Sequence, residues 1–305
     1  MLRLSIGKGA TIVSLFVGNS EFGVTTSDIA VSYYIDGALN NLPSQSSLGI
    51  NVFEILLDGQ PHEVDIVIPY QQYDAVTVGN ILGTWLWRLQ CYGGSCSVLP
   101  NPTSAKRIAI YGDSIAEGAL AVPNSSGWSQ ILRRTYAGTK RIAQEGWGGR
   151  ALWDDSGSGS GQYGFATPAL LAARLQGLLF DATTQRLVID TMGFNDWSPG
   201  FAHWNAASFG TACANLYDAI HSADASISVL AVSPIVTGNE AATNTFSQTI
   251  AQYRAAKLAA TTGRSWVTYV DGLTLVSAVN ISGDGIHPTT TGQAEFATNI
   301  QASIP

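Results

Sequence analysis

The sequence predicts two folds in series: an all-β sandwich or jelly roll over residues 1–100, and an α/β domain built on a parallel sheet over residues 101–305. Two patterns and a boundary point there. The first hundred residues carry short β-branched and aromatic runs separated by turn signals, with no helical stretch. After them, short apolar runs alternate with segments of helical period, as in a parallel sheet covered on both faces. Between the two lies Leu99-Pro100-Asn101-Pro102, a proline-stiffened connector followed by Thr103-Ser104.

The elements follow in order. Thr11–Val17 and Ile29–Ile35 read as strands, each closed by a turn signal, Gly18-Asn19 and Asp36-Gly37. Val52–Leu57 and His62–Ile68 flank Asp58-Gly59-Gln60-Pro61, and Val64, Ile66 and Ile68 alternate with polar partners, so one face is buried. Trp85–Leu89 adds a further strand. Beyond the connector, strands are predicted at Arg107–Tyr111, Lys140–Gln144, Arg186–Thr191, Ser226–Val232 and Trp266–Val270. Helices are predicted around Trp128, Ile131, Leu132 and Tyr136, and at Ala169–Leu175, Ala212–Ala223, Thr249–Ala260 and Gly292–Ile304.

Composition narrows the function. Of 305 residues, 46% are hydrophobic and 12% charged, which suits a packed core and excludes a disordered chain. A net charge of −7, with no basic cluster beyond Arg133-Arg134, excludes a nucleic-acid partner. No apolar run is long enough to span a membrane, and Met1–Gly18 lacks the apolar block of a signal peptide. Cys91 and Cys96 flank Tyr-Gly-Gly-Ser, a spacer able to close a disulfide loop; such a bridge favours a secreted or extracytoplasmic location. Cys213 falls in a helical pattern and reads as a buried thiol. No Cys/His spacing suits a metal, and no cofactor is expected.

The chemistry concentrates in four short segments: Gly112-Asp113-Ser114, Glu145-Gly146-Trp147-Gly148-Gly149-Arg150, Gly193-Phe194-Asn195-Asp196 and Asp284-Gly285-Ile286-His287. A serine nucleophile needs a base, and the base needs an acid to hold its tautomer and stabilise its cation. Asp284 and His287, three residues apart, deliver acid and base in one turn. The other reading of Asp284 is an Asx-type turn beside an incidental histidine, and that of Ser114 a helix cap at a strand end. Among the remaining histidines, His62 reads as a partly exposed strand residue, His203 lacks an acid nearby in sequence, and His221 falls near a helix end. The strand pattern puts all four segments at the carboxyl ends of strands, where open α/β sheets bind ligands.

The four segments, in this order, resemble the motifs of the SGNH (GDSL) hydrolases. The resemblance covers the C-terminal domain and implies a flavodoxin-like three-layer α/β/α fold. It implies Ser114 as nucleophile, His287 as base and Asp284 as its acid. It also implies oxyanion donors from the Ser114 backbone N–H, the backbone N–H of Gly149 (with Gly148 next in line, and Gly146 also available) and the Asn195 side-chain amide. Asp113 and Asp196 would then act structurally.

Tryptophans cluster beside these motifs: Trp147, Trp153, Trp197 and Trp204. An indole face stacks on a sugar ring, so Trp147, Trp197 and Trp204 are candidate substrate contacts, with core packing as the other reading. In the first domain, Val31–Gly37 followed by Leu57-Asp58-Gly59-x-x-His62 resembles the jelly-roll module of two-domain carbohydrate esterases. The expected reaction is deacetylation of a saccharide or polysaccharide through an acyl-enzyme. The alternatives are a lipolytic or aryl esterase of the same mechanism and a glycan-binding protein with an inert hydrolase-like domain.

Overall fold

A computed structural model describes residues 2–21, 32–36, 38–41, 49–67, 82–98, 106–121, 126–136, 139–146, 149–152, 168–179, 182, 184–200 and 202–305. The chain divides into two compact units, the second beginning at Pro102.

The first unit is antiparallel β. Its strands are β1 (Leu2–Ile6), β2 (Ile12–Glu21), β3 (Ser32–Ile35), β4 (Ala38–Asn41), β5 (Gly49–Leu56), β6 (His62–Val67), β7 (Leu82–Tyr92) and β8 (Cys96–Val98). They form two sheets, β4-β3-β6-β1-β8 and β5-β2-β7. Leu4 and Ile6 from β1 and Val64 and Ile66 from β6 share one core with Val13 and Leu15 from β2 and Phe53 and Ile55 from β5. The two sheets therefore face each other as a sandwich around this shared core. A disulfide joins Cys91 to Cys96 across the β7–β8 turn. The sequence reading omits β1, β4 and β8. All three are short, and β8 begins at a disulfide cysteine. Residues 29–31 and 68 of the predicted strands lie outside the described residues.

The second unit holds one sheet of five parallel strands: β9 (Lys106–Gly112), β10 (Arg141–Gly146), β11 (Gln185–Asp190), β12 (Ile227–Val232) and β13 (Val267–Val270). Their spatial order is β10-β9-β11-β12-β13. That is the flavodoxin-like order, whose chain reverses direction between its first and third strands. In β9 every residue after Lys106 is buried, as expected of a strand covered on both faces. The covering helices are α2 (Trp128–Thr135), α3 (Pro168–Leu178), α5 (Ala206–Ala223), α6 (Ile250–Ala260) and α7 (Thr290–Gln301). Two four-residue helices, α1 (Ser114–Glu117) and α4 (Phe194–Trp197), begin where β9 and β11 release the chain. Trp128, stacked on Phe296 at 4.4 Å, fixes α2 against α7. Among the described residues, no helix is long and apolar enough to cross a membrane.

Candidate active site

The strand ends set the site. Gly112 of β9 pairs in register with Gly146 of β10, and Tyr111 with Asp190 of β11. The segments that follow those strands therefore leave one edge of the sheet side by side. Gly112 must be glycine there: a Cβ would lie 2.1 Å from Thr191 Oγ1 and 2.5 Å from the Ala116 methyl. Gly193 must also be glycine, with φ of 134° at the start of α4.

Asp113 caps α1, its Oδ1 accepting the Ile115 N–H at 2.9 Å. The cap is thus the aspartate, and Ser114 is the first helical residue, its hydroxyl free for another partner. That partner is His287, whose Nε2 lies 2.8 Å from Ser114 Oγ. On the far side of the ring, Nδ1 lies 2.7 Å from Asp284 Oδ2. The network assigns the tautomer: Nδ1–H donates to the carboxylate, leaving Nε2 to accept the serine proton.

Asp284 does two jobs. Its Oδ1 accepts the N–H groups of Ile286 at 2.8 Å and His287 at 3.0 Å, and the Ser282 hydroxyl. The Asx-type turn and the acid–base pair are therefore one structure rather than rival readings. Burial raises the Asp284 pKa, but the hydrogen bonds from Ser282, His287 and the turn outweigh it, holding the carboxyl well below its ordinary range. Asp113 is the opposite case. It is wholly buried, its Oδ2 has no hydrogen-bond partner among the described residues, and burial pushes its pKa up to about 6.

Asn195 stands in α4, half-buried, its Nδ2 donating to the Arg150 carbonyl at 2.9 Å. One amide hydrogen is thereby fixed and the second remains to donate elsewhere. Its neighbour Asp196 is fully buried and accepts the Leu152 N–H at 2.9 and 3.1 Å. Together the two residues pin the 149–152 segment to α4. Gly149 opens that segment with φ of 77°, and Gly146 ends β10. Gly148 and Trp147 lie outside the described residues, as does Trp153.

Of the four tryptophans beside the motifs, Trp197 and Trp204 are described, and the structure corrects one expectation. Trp197 is 1% exposed, packed edge-on against Phe194 at 5.5 Å, with Nε1 donating to the Gln248 carbonyl. The single turn of α4 that presents Asn195 rotates Trp197 into the core, so its face is not available to a sugar. Trp204, just ahead of α5, is half-buried, and its carbonyl accepts the Tyr253 hydroxyl. His203 is exposed, and His221 stacks on Trp266 at 3.9 Å.

Sequence reasoning missed the buried cations behind these loops. Lys257 of α6 is fully buried, 3.0 Å from Asp190 Oδ2, and donates to the carbonyls of Met192 at 2.7 Å and Asp190 at 3.2 Å. It thereby fixes the end of β11 just before Gly193. A lone lysine in a helical pattern reads as solvated, and nothing local in the sequence marks its partner 67 residues away. Nor did the sequence show how His62 is held. Its ring nitrogens lie 2.7 Å from Asp36 Oδ2 and 2.8 Å from Asp58 Oδ1, so it clasps two turns rather than standing as a simple strand residue. Among the described residues, no group of three or more His, Cys, Asp or Glu side chains is arranged to hold a metal ion.

A flavodoxin-like sheet with a linked hydroxyl, imidazole and carboxylate at its carboxyl edge is the framework of an SGNH-type acylhydrolase. The chain belongs to the GDSL-like lipase/acylhydrolase family, whose sequence profile matches residues 110–295. Curated proteins give no sequence match. Solved structures match over nearly the whole chain at low identity. A family two carbohydrate esterase from Clostridium thermocellum, in complex with cellohexaose, has TM-score 0.65 and 18% identity over 99% of this chain and 90% of its own. A carbohydrate esterase family 2 enzyme of Corynascus thermopiles (Myceliophthora fergusii) has TM-score 0.69 and 16% identity, covering 99% and 92%. The salicylyl-acyltransferase SsfX3, from a tetracycline biosynthetic pathway, has TM-score 0.67 and 14% identity, covering 99% and 81%. These likenesses place an antiparallel β region ahead of a five-stranded parallel sheet, as in the family two carbohydrate esterases.

Proposed function

We propose that this protein is a serine esterase that removes short acyl groups, acetyl first among them, from a saccharide or polysaccharide through an acyl-enzyme. The observation that carries the reading is the unbroken chain Ser114 Oγ–His287 Nε2 at 2.8 Å and His287 Nδ1–Asp284 Oδ2 at 2.7 Å. His287 takes the serine proton as Oγ attacks the acyl carbonyl. The oxyanion is held by the Ser114 and Gly149 backbone N–H groups and the free amide hydrogen of Asn195. His287 then protonates the leaving sugar oxygen; in the second half-reaction it takes a proton from the water that attacks the acyl-enzyme and returns it to Ser114 Oγ as the carboxylic acid departs. The choice of a saccharide is supported by the likeness to carbohydrate esterases over nearly the whole chain and by the half-buried Trp204 just ahead of α5. The Cys91–Cys96 disulfide supports an extracytoplasmic location.

The test is acetate release from a panel of acetylated polysaccharides, with Ser114→Ala as control. A chain-length series on p-nitrophenyl esters accompanies it. Steep preference for acetate is the expected result, and efficient hydrolysis of octanoate would favour a lipolytic enzyme instead. Failure of a fluorophosphonate to label Ser114 in folded protein would favour an inert glycan-binding domain.

A further inference from the structure

The acid–base turn is a surface loop: Gly283 and Asp284 are exposed, and Gly285 is only half-buried. Exposed loops are the mobile part of a fold, yet a general base must stay within hydrogen-bonding reach of its nucleophile. Something has to hold this turn from behind.

The segment after β12 does so. Thr237, 5% exposed, donates its hydroxyl to the Gly285 carbonyl at 2.7 Å, and the Gly238 N–H donates to the same oxygen at 2.9 Å. That carbonyl belongs to the residue directly after Asp284 and accepts from both donors at once. Thr237 is fixed in turn, its N–H donating to Glu240 Oε1 at 2.9 Å. Glu240 is gripped by Arg254 of α6, with Nη1 to Oε2 at 2.6 Å and Nη2 to Oε1 at 2.7 Å. Arg254, 6% exposed, uses its other donors on the same segment, Nε to the Pro234 carbonyl at 2.7 Å and Nη2 to the Ile235 carbonyl at 2.6 Å. A bidentate guanidinium–carboxylate pair with two further donors anchored on the same segment is rigid in a way a single hydrogen bond is not.

We propose that Arg254, Glu240 and Thr237 form a brace that positions the Asp284–His287 turn, with the Thr237 hydroxyl as the contact that transmits it. They are positioning residues: none touches a reacting atom. The kinetic consequence rests on the esterase reading above; the structural consequence does not. A base displaced by about an ångström costs up to ~100-fold in rate, so a loosened turn lowers kcat without weakening substrate binding.

Thr237→Val removes the donor and keeps the shape. Its kcat on p-nitrophenyl acetate is expected to fall ~10- to 100-fold with KM nearly unchanged, and Thr237→Ser is expected to restore most of the loss. The second readout is the downfield proton resonance of the His287 Nδ1–H shared with Asp284, identified by its absence in His287→Gln. It is expected to broaden or shift in Thr237→Val and to return in Thr237→Ser. Unchanged kcat together with an unchanged resonance in Thr237→Val would overturn the brace. Should that variant fail to fold, the same two readouts on Glu240→Gln decide. If the wild-type protein cleaves no ester, the esterase reading falls, and the resonance alone decides whether the brace exists.

Discussion

Asp284 Oδ2 lies 2.7 Å from His287 Nδ1, while Oδ1 of the same carboxylate accepts the backbone N–H of His287 at 3.0 Å. One side chain thus builds the turn and orients the ring that the turn carries. Because the Asp284 pKa is depressed on folding, its contribution to stability is present above the unfolded-state value and is lost only as pH falls through the lower folded one. The carboxylate therefore stays charged wherever an esterase assay is run. Asp284→Asn is expected to lower kcat by on the order of 10²–10⁴-fold, because an amide at this position presents a donor to Nδ1 and favours the wrong tautomer. The pH dependence of kcat/KM checks it: the deficit should persist at high pH, and recovery there would show that the charge on Asp284 is dispensable.

Asn195 holds the Arg150 carbonyl with one amide hydrogen, leaving the other to act as a donor. Asn195→Ala is expected to reduce kcat ~10²–10³-fold with little change in KM, since the donor acts on charge that develops only in the transition state. Asn195→Asp should be worse, because it sets a carboxylate where negative charge must be stabilised. Steady-state kinetics on p-nitrophenyl acetate decide, and a pure KM effect would remove Asn195 from the oxyanion site.

How much of this was legible in the chain depended on sequence distance. Ser114, Asp284 and His287 could be picked out because acid and base share one turn before the last helix and the serine motif follows a predicted strand. The sheet was legible because β9, β11 and β12 are short, near-continuous apolar runs. Trp197 misled because a tryptophan beside a motif looks the same whether its helix turns it outward or inward; four residues of helix settled that, and nothing in the local sequence encodes the rotation. Lys257 and Arg254 were invisible for another reason. Their partners, Asp190 and Glu240, lie on different elements, and a cation in an amphipathic helix carries no mark of burial.

His62 is the pH-sensitive point of the β sandwich. Contact with two carboxylates requires both ring nitrogens to donate, hence an imidazolium. Hydrogen bonds to Asp36 and then Asp58 raise its pKa. A bond to His62 and the Glu63 N–H lower that of Asp36, and bonds from the Gln60 N–H and His62 lower that of Asp58. A raised histidine stabilises below its unfolded value and loses that contribution as pH rises through the folded one. The depressed aspartates lose theirs as pH falls through their folded values. The clasp is therefore intact at mildly acidic pH and opens on both sides. Calorimetry of the first unit's transition should show its Tm declining as pH rises past neutrality, and His62→Gln should flatten that limb. A wild-type transition with no alkaline decline would contradict the clasp.

Lys257 and Asp190 are both fully buried, and Asp190 Oδ2 also accepts the Tyr217 hydroxyl at 2.8 Å. The pair has no solvent to fall back on, so removing one member leaves an uncompensated charge in the core. Lys257→Met is expected to cost about 3–5 kcal/mol of unfolding free energy, with the double variant Lys257→Met/Asp190→Asn recovering part of it. The same variant should slow catalysis in protein that remains folded, because the Lys257 side chain fixes the Met192 carbonyl one residue before Gly193, which opens the helix α4 bearing Asn195. Urea unfolding gives the first quantity and kcat well below the transition midpoint the second. A single variant as stable as the wild type would show that the buried pair contributes nothing to stability.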